Sequence, residues 1–231
     1  MGLKFFCILI LGVFACSKVH QWKKPVKITF NVDVTKDSIA DGKLIFESGY
    51  LDIESFNFDG NRINGSDVFF TKTLKSKIIT NSNKPIKEDL IFDIPQGIYS
   101  SINIDVLSMK DNLPNLVIKG EFQNESGVLI PVRFEFNETE TFEIVGQNYI
   151  GNNNDIDLVE IDRINATIWI DPSNWFKGVS INSIENAKLV PIDGRNVILI
   201  NDNTNQYIYK TVVAALSVDK QKAIFIKQGH G

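Results

Sequence analysis

Val26-Lys27-Ile28-Thr29-Phe30-Asn31-Val32-Asp33-Val34 (VKITFNVDV) carries an apolar side chain at every even position and a polar one at every odd position. A period of two is the signature of a strand with one face in a core and one in water. The same habit spreads along the chain. Leu51 and Ile53 alternate with Asp52 and Glu54; Ile102, Ile104 and Val106 with Asn103 and Asp105; Val132, Phe134 and Phe136 with Arg133 and Glu135. Residues 116–122 (LVIKGEF) and 161–170 (IDRINATIWI) continue it, and Trp169, inside an alternating strand, is expected in the core. Asp41-Gly42, Ser48-Gly49, Asp59-Gly60, Asn64-Gly65, Ser126-Gly127 and Asp193-Gly194 read as turns between strands. Short strands punctuated in this way imply a mainly β sandwich or barrel, of which an antiparallel β-sandwich is the expected fold.

One stretch breaks the period. Asn203-Thr204-Asn205 offers an N-cap, and Ile208, Val212, Ala215 and Leu216 then share a helical face. This predicts one helix near the C-terminus, over 205–217, leading into a last strand at 223–226. Asp171-Pro172 predicts a single helical turn with Pro172 at its first position. The Asn- and Gly-rich run 147–156 reads as a loop. It separates a β-sandwich at 26–146 from strands and a helix at 157–231, expected to continue the same sandwich because about 70 residues make a meagre independent core.

The residue inventory excludes several chemistries. The only histidines are His20 and His230, so the folded body has no imidazole for Ser-His-Asp catalysis or for a histidine-rich metal site. The formal charge is −4, against the basic footprint of a nucleic-acid binder. No phosphate loop, GxGxxG or CxxC occurs. Paired carboxylates such as Glu135 with Glu143, or Asp157 with Glu160, are abundant, but a sequence places no two of them across a cleft. The expectation is no enzyme and no cofactor.

The first residues say where such a body belongs. Met1–Ala15 (MGLKFFCILILGVFA) has one cation, Lys4, before an apolar run too short to span a bilayer and suited to a signal peptide. The only cysteines are Cys7, inside that run, and Cys16, just after it. Val13-Phe14-Ala15-Cys16 resembles the lipobox of bacterial lipoprotein precursors. That resemblance implies cleavage after residue 15, a diacylglycerol on the Cys16 thiol, and a tether over 16–25. Some Gram-negative lipoproteins carry an acidic run just after the cysteine that directs them to the cell surface; with no acid before Asp33, the resemblance implies the outer membrane facing the periplasm, with surface display as the alternative.

LDIESFNFDGNRINGSDVFF (51–70), DLIFDIPQGIYSSINIDV (89–106), LVIKGEF, IPVRFEF, IDPSNWF (170–176) and NTNQYIYKTVVAAL (203–216) together resemble β-sandwich lipoproteins of unknown function from Bacteroidota-type bacteria. The resemblance implies a transthyretin-like or immunoglobulin-like sandwich and no catalytic residues. A looser likeness to fimbrial subunits implies strand addition at an exposed edge, and draws attention to Arg62 as a processing site. The expected role is a lipid-anchored, non-catalytic binding or structural module. Its alternatives are a fimbrial or adhesin component and a carbohydrate-binding accessory of a polysaccharide uptake system. Its partners would be the membrane and a protein or glycan.

Few residues stand out as candidate sites. Trp175 and Phe176 could form an aromatic platform for a ligand. Asn152, Asn154, Asp155 and Asp157 cluster oxygen ligands of the type Ca²⁺ takes, without the spacing of an EF-hand. Asp37-Ser38-Ile39 resembles an acceptor triplet for O-glycosylation at Ser38. Ile94-Pro95-Gln96-Gly97-Ile98-Tyr99 reads as a structural corner with the tyrosine turned inward.

Overall fold

A computed structural model describes residues 23–80, 90–109, 114–148, 155–159 and 163–228. The alternation at the start is a strand over the same residues, β1 (Val26–Val34), with even positions buried. There follow β2 (Leu44–Arg62), β3 (Val68–Ile79), β4 (Ile91–Ile94), β5 (Gly97–Ser108), β6 (Leu116–Gln123), β7 (Leu129–Phe136), β8 (Thr141–Asn148), β9 (Ile156–Leu158) and β10 (Arg163–Ile170). The helices α1 (Pro172–Phe176) and α2 (Ile181–Glu185) precede β11 (Leu189–Ile192) and β12 (Arg195–Ile200). Helix α3 (Gln206–Leu216) and β13 (Gln221–Gln228) close the described chain. The chain is mainly β, as the sequence predicts, with two short helices beside the expected one.

The strands join in one sheet in the order β11-β12-β7-β6-β2-β5-β8-β13-β10-β1-β4, with β3 beside β2 and β9 beside β5. The sheet is mixed, not antiparallel throughout. β1 runs parallel to β10, β12 to β7 and β13 to β8. Parallel neighbours need long crossovers, and each of these pairs is separated by many intervening residues. Alternation fixes which face a side chain takes and says nothing of strand direction, which is why the sequence misses this. The residues after 157 form no sheet of their own: β10 and β13 lie between β1 and β8, and β12 lies beside β7.

β2 organises the molecule. Its first half pairs with β6 and its second half with β5, while β3 lines the opposite edge from Tyr50 to Gly60. Two expected turns fall inside it. Ser48-Gly49 sits just past a bulge against β6, where a Cβ on Gly49 would lie 2.1 Å from the Val117 carbonyl oxygen. Asp59-Gly60 sits in the ladder, where a Cβ on Gly60 would meet the Tyr99 ring at 2.6 Å. Glycine marks close backbone approach in both, a role that imitates a turn signal in sequence.

The two halves of β2 feed two aromatic clusters within one core. In the first, Phe30 of β1 meets Phe56 of β2 at 5.1 Å, and Phe92 of β4 stacks on Phe56 at 4.7 Å. Phe70 of β3 stacks on Phe58 at 5.2 Å. In the second, the helices cover β2, β6, β7 and β12. Phe46 packs on Phe176 at 4.8 Å, and Phe134 meets Trp175, Phe176 and Tyr209. A void of about 10 Å³ lined by Val32, Ile53, Phe142 and Ile168 is barely the space of one water.

Candidate functional site

Trp175 and Phe176 are not a surface platform. Pro172 opens α1 at its first position, and Asp171 caps it by accepting from the Ser173 amide. That turn drives both rings inward, leaving Trp175 0% and Phe176 1% exposed. The Trp175 Nε1 donates to Asp219 Oδ2 at 3.0 Å, and Gln221 Nε2 donates to the same oxygen at 2.8 Å. Gln221 in turn accepts from the Asp171 amide at 2.9 Å, so one relay ties α1, the end of α3 and the start of β13. In sequence the proline-led turn offers this pair as an aromatic platform. The pair is core here because α3 packs over it.

Trp169, expected in the core, lies instead on the outward side of its strand. Ile164, Ala166, Ile168 and Ile170 take the buried face of β10, so Trp169 is turned outward and half-buried. Its neighbours across the strands are Asp33 and Lys222. Two residues along, Thr167 lies between Asn31 and Ile224; two further, Asn165 lies between Thr29 and Ile226. On β8, Val145 stands beside Lys222. Among the described residues, Asn31, Asn165, Thr167 and Lys222 have no side-chain hydrogen bond. The strip therefore offers an indole flanked by uncommitted amide, hydroxyl and ammonium groups and by the Asp33 carboxylate, one oxygen of which accepts from the Val34 amide at 2.8 Å, with aliphatic side chains along one border.

A second polar patch lies outside β2, β3, β6 and β7, over the buried Val117. Tyr50, Val117 and Glu135 share one cross-strand row. Lys77 Nζ is 3.3 Å from Asp52 Oδ2 and 4.0 Å above the Tyr50 ring. Arg133 Nε donates to Glu135 Oε1 at 2.5 Å, and Asn201 donates to the other Glu135 oxygen at 3.1 Å. Burial pushes the Tyr50 phenol up from its ordinary pKa, against the pull of Lys77 and Arg133. The charges here are paired with one another. On β5, burial and the carboxylates of Glu143 and Asp59 raise the Asp105 pKa, while Lys220, bound to Glu143 at 2.8 Å, opposes them.

Glu135 and Glu143 do not face each other across a cleft: β6, β2 and β5 stand between their strands, and each is committed to a cation. Asp157 pairs with Lys227 at 3.1 Å. Asp155 accepts through its backbone from Asn148, while Asn152, Asn154 and Glu160 lie outside the described residues. No group of three acidic, histidine or cysteine side chains is placed to hold a metal among the described residues. Ser38 is exposed in the connection between β1 and β2. Cys16 lies outside the described residues, and no described helix is long and apolar enough to cross a membrane.

The Pro95–Tyr99 segment joins β4 to β5. Tyr99 is buried, and its hydroxyl donates to the Pro95 carbonyl at 2.6 Å. Burial lifts its pKa to about 12. Arg62, to which the fimbrial likeness draws attention, ends β2 and bridges two loops: its Nε donates to the Ser66 carbonyl at 2.6 Å and its Nη1 to the Gln96 carbonyl at 3.2 Å.

Compared with protein-family models, curated proteins and solved structures, the chain matches none.

Proposed function

We propose that the protein is a lipid-anchored, non-catalytic binding module of the bacterial envelope, held to the outer membrane through Cys16 and meeting a glycan on the Trp169 strip. The anchor rests on the apolar leader that ends at Ala15-Cys16. The binding surface rests on one observation: an outward indole among side chains of which Asn31, Asn165, Thr167 and Lys222 have no side-chain hydrogen bond among the described residues. A sugar ring has an apolar face that stacks on an aromatic and hydroxyls that pair with amide, hydroxyl and carboxylate groups. The scaffold beneath is a sandwich of the transthyretin-like or immunoglobulin-like kind. Support comes from the facing rings of β1 and β4 against β2 and β3, and from a buried tyrosine bonded to backbone four residues upstream.

Two experiments test the reading. A Cys16→Ser variant should leave the membrane fraction, and mass spectrometry of the wild type should find acyl mass on Cys16. A glycan array probed with the wild type and Trp169→Ala should show retention that the variant loses.

A second reading, strand addition in a fimbrial or adhesin role, is favoured by β3. Among the described strands it pairs only with β2, and Phe69 on it is 73% exposed. Exposed Lys72 and Lys75, with an irregularity in the ladder opposite Lys75, are the devices by which edges resist such pairing. The strip is therefore preferred.

A further inference from the structure

We propose that Asn64 is a self-modifying site, an asparagine that cyclises onto the following glycine, and that Arg62 sets its rate. Asn64-Gly65 is the single Asn-Gly pair in the chain. It occupies the tip of the connection between β2 and β3, where residues 63–67 are all exposed. Among the described residues, no group holds the Asn64 side-chain amide.

The chemistry needs three things that this tip supplies. The attacking atom is the backbone nitrogen of Gly65. It loses its proton and bonds to Asn64 Cγ, closing a five-membered imide. The Cγ–Nδ2 bond breaks, and ammonia leaves with the proton. Water then opens either carbonyl of the ring, giving aspartate or isoaspartate at position 64. Glycine leaves the nitrogen unshielded, the exposed tip admits water, and the free amide can turn toward its neighbour. Asp59-Gly60 is an internal contrast. That dyad is extended, and Gly60 is paired to Val68 on one side and Ile102 on the other, so its backbone cannot swing into a ring.

Arg62 is the restraint. Its backbone amide donates to Asp67 Oδ1 at 3.0 Å, and its guanidinium ties Ser66 to Gln96. The same guanidinium lies under Gly65, 3.1 Å from where a Cβ would stand. Gly65 is thereby held at φ +108°, and cyclisation has to await opening of this clasp. Conversion places a carboxylate beside Arg62, or adds a backbone methylene, and so competes with the contacts that join this loop to the β4–β5 turn.

The test is timed incubation of the full chain at mildly alkaline pH, followed by peptide mapping. The wild type should gain one mass unit at residue 64, with the product peptide split into two chromatographic peaks. Arg62→Ala should react several-fold faster and Arg62→Lys at an intermediate rate, while the 59–60 dyad stays unchanged. The urea-unfolded wild type provides the unrestrained rate and stands in for the alanine variant if that chain fails to fold. An amide that survives in the native wild type and in both variants would overturn the site. Variant rates equal to or below the wild-type rate, or an unfolded chain no faster than the native one, would overturn the restraint.

Discussion

Trp169 and Trp175 stand six residues apart and have opposite surroundings. Trp175 lies under α3, its indole nitrogen committed to Asp219 and its ring against Phe134. Trp169 lies on the open face of the sheet between Asp33 and Lys222. At the Trp175 end the indole nitrogen, Asp219 and Gln221 are matched with one another, and the rings of Trp175 and Phe176 lie against Phe134. The Trp169 strip keeps polar groups in reserve. A fold uses the first arrangement to stay folded, and the second is what a ligand can use.

The largest expected effect is at the closed end. Trp175→Ala should cost about 3–5 kcal/mol, since it opens a cavity and takes from Asp219 one of its two donors. Urea unfolding would read it, and a loss below about 1 kcal/mol would remove the distinction between the two tryptophans. Next comes the relay. Gln221→Ala should cost about 1–3 kcal/mol, because it leaves the Asp171 amide and the Asp219 carboxylate short of a partner. Unfolding of that variant no different from wild type would show that the junction is not held by this side chain.

Alkali probes the buried phenols. Burial raises Tyr99 and Tyr209 to about 12 from the ordinary 10. The native state keeps these protons longer than the unfolded chain does. The stability they contribute is therefore full below about pH 10 and is lost as pH climbs toward 12. Spectroscopic titration of phenolate should show Tyr99 and Tyr209 ionising late, with Tyr50 also raised, and Tyr99→Phe should flatten the alkaline loss of stability. Ordinary ionisation of both rings would mean that water reaches them. The smallest effect on folding is expected at the open face: Trp169→Ala should change stability by at most about 1 kcal/mol. A larger cost would mean that the indole belongs to the core.

Much of this could be read from residues, because period two is a local property. VKITFNVDV marks β1 to the residue, and Pro172 and the 208–216 face locate two helices. At α3 the expected cap is used differently. Asn205 stands at the N-cap with φ +53° and spends its side chain on Lys188 and Leu199, stitching the helix to β11 and β12. Tyr209 is buried there and Ala215 only partly so. The parallel pairings were beyond local reading, as was the continuation of β2 through two glycines. Both depend on partners far along the chain. The candidate site turns on alternation alone. Ile164, Ala166, Ile168 and Ile170 alternate with Asn165, Thr167 and Trp169, so period two already sets the indole on the polar face, and only its apolar character suggests the core.

The most direct test of the account is glycan binding measured side by side on wild type, Trp169→Ala and Trp175→Phe. The account predicts saturable binding by the wild type, its loss in a Trp169→Ala chain that unfolds at nearly the same denaturant concentration, and its retention in Trp175→Phe. Binding that survives without the Trp169 indole, or no binding of any glycan by the wild type, would contradict it.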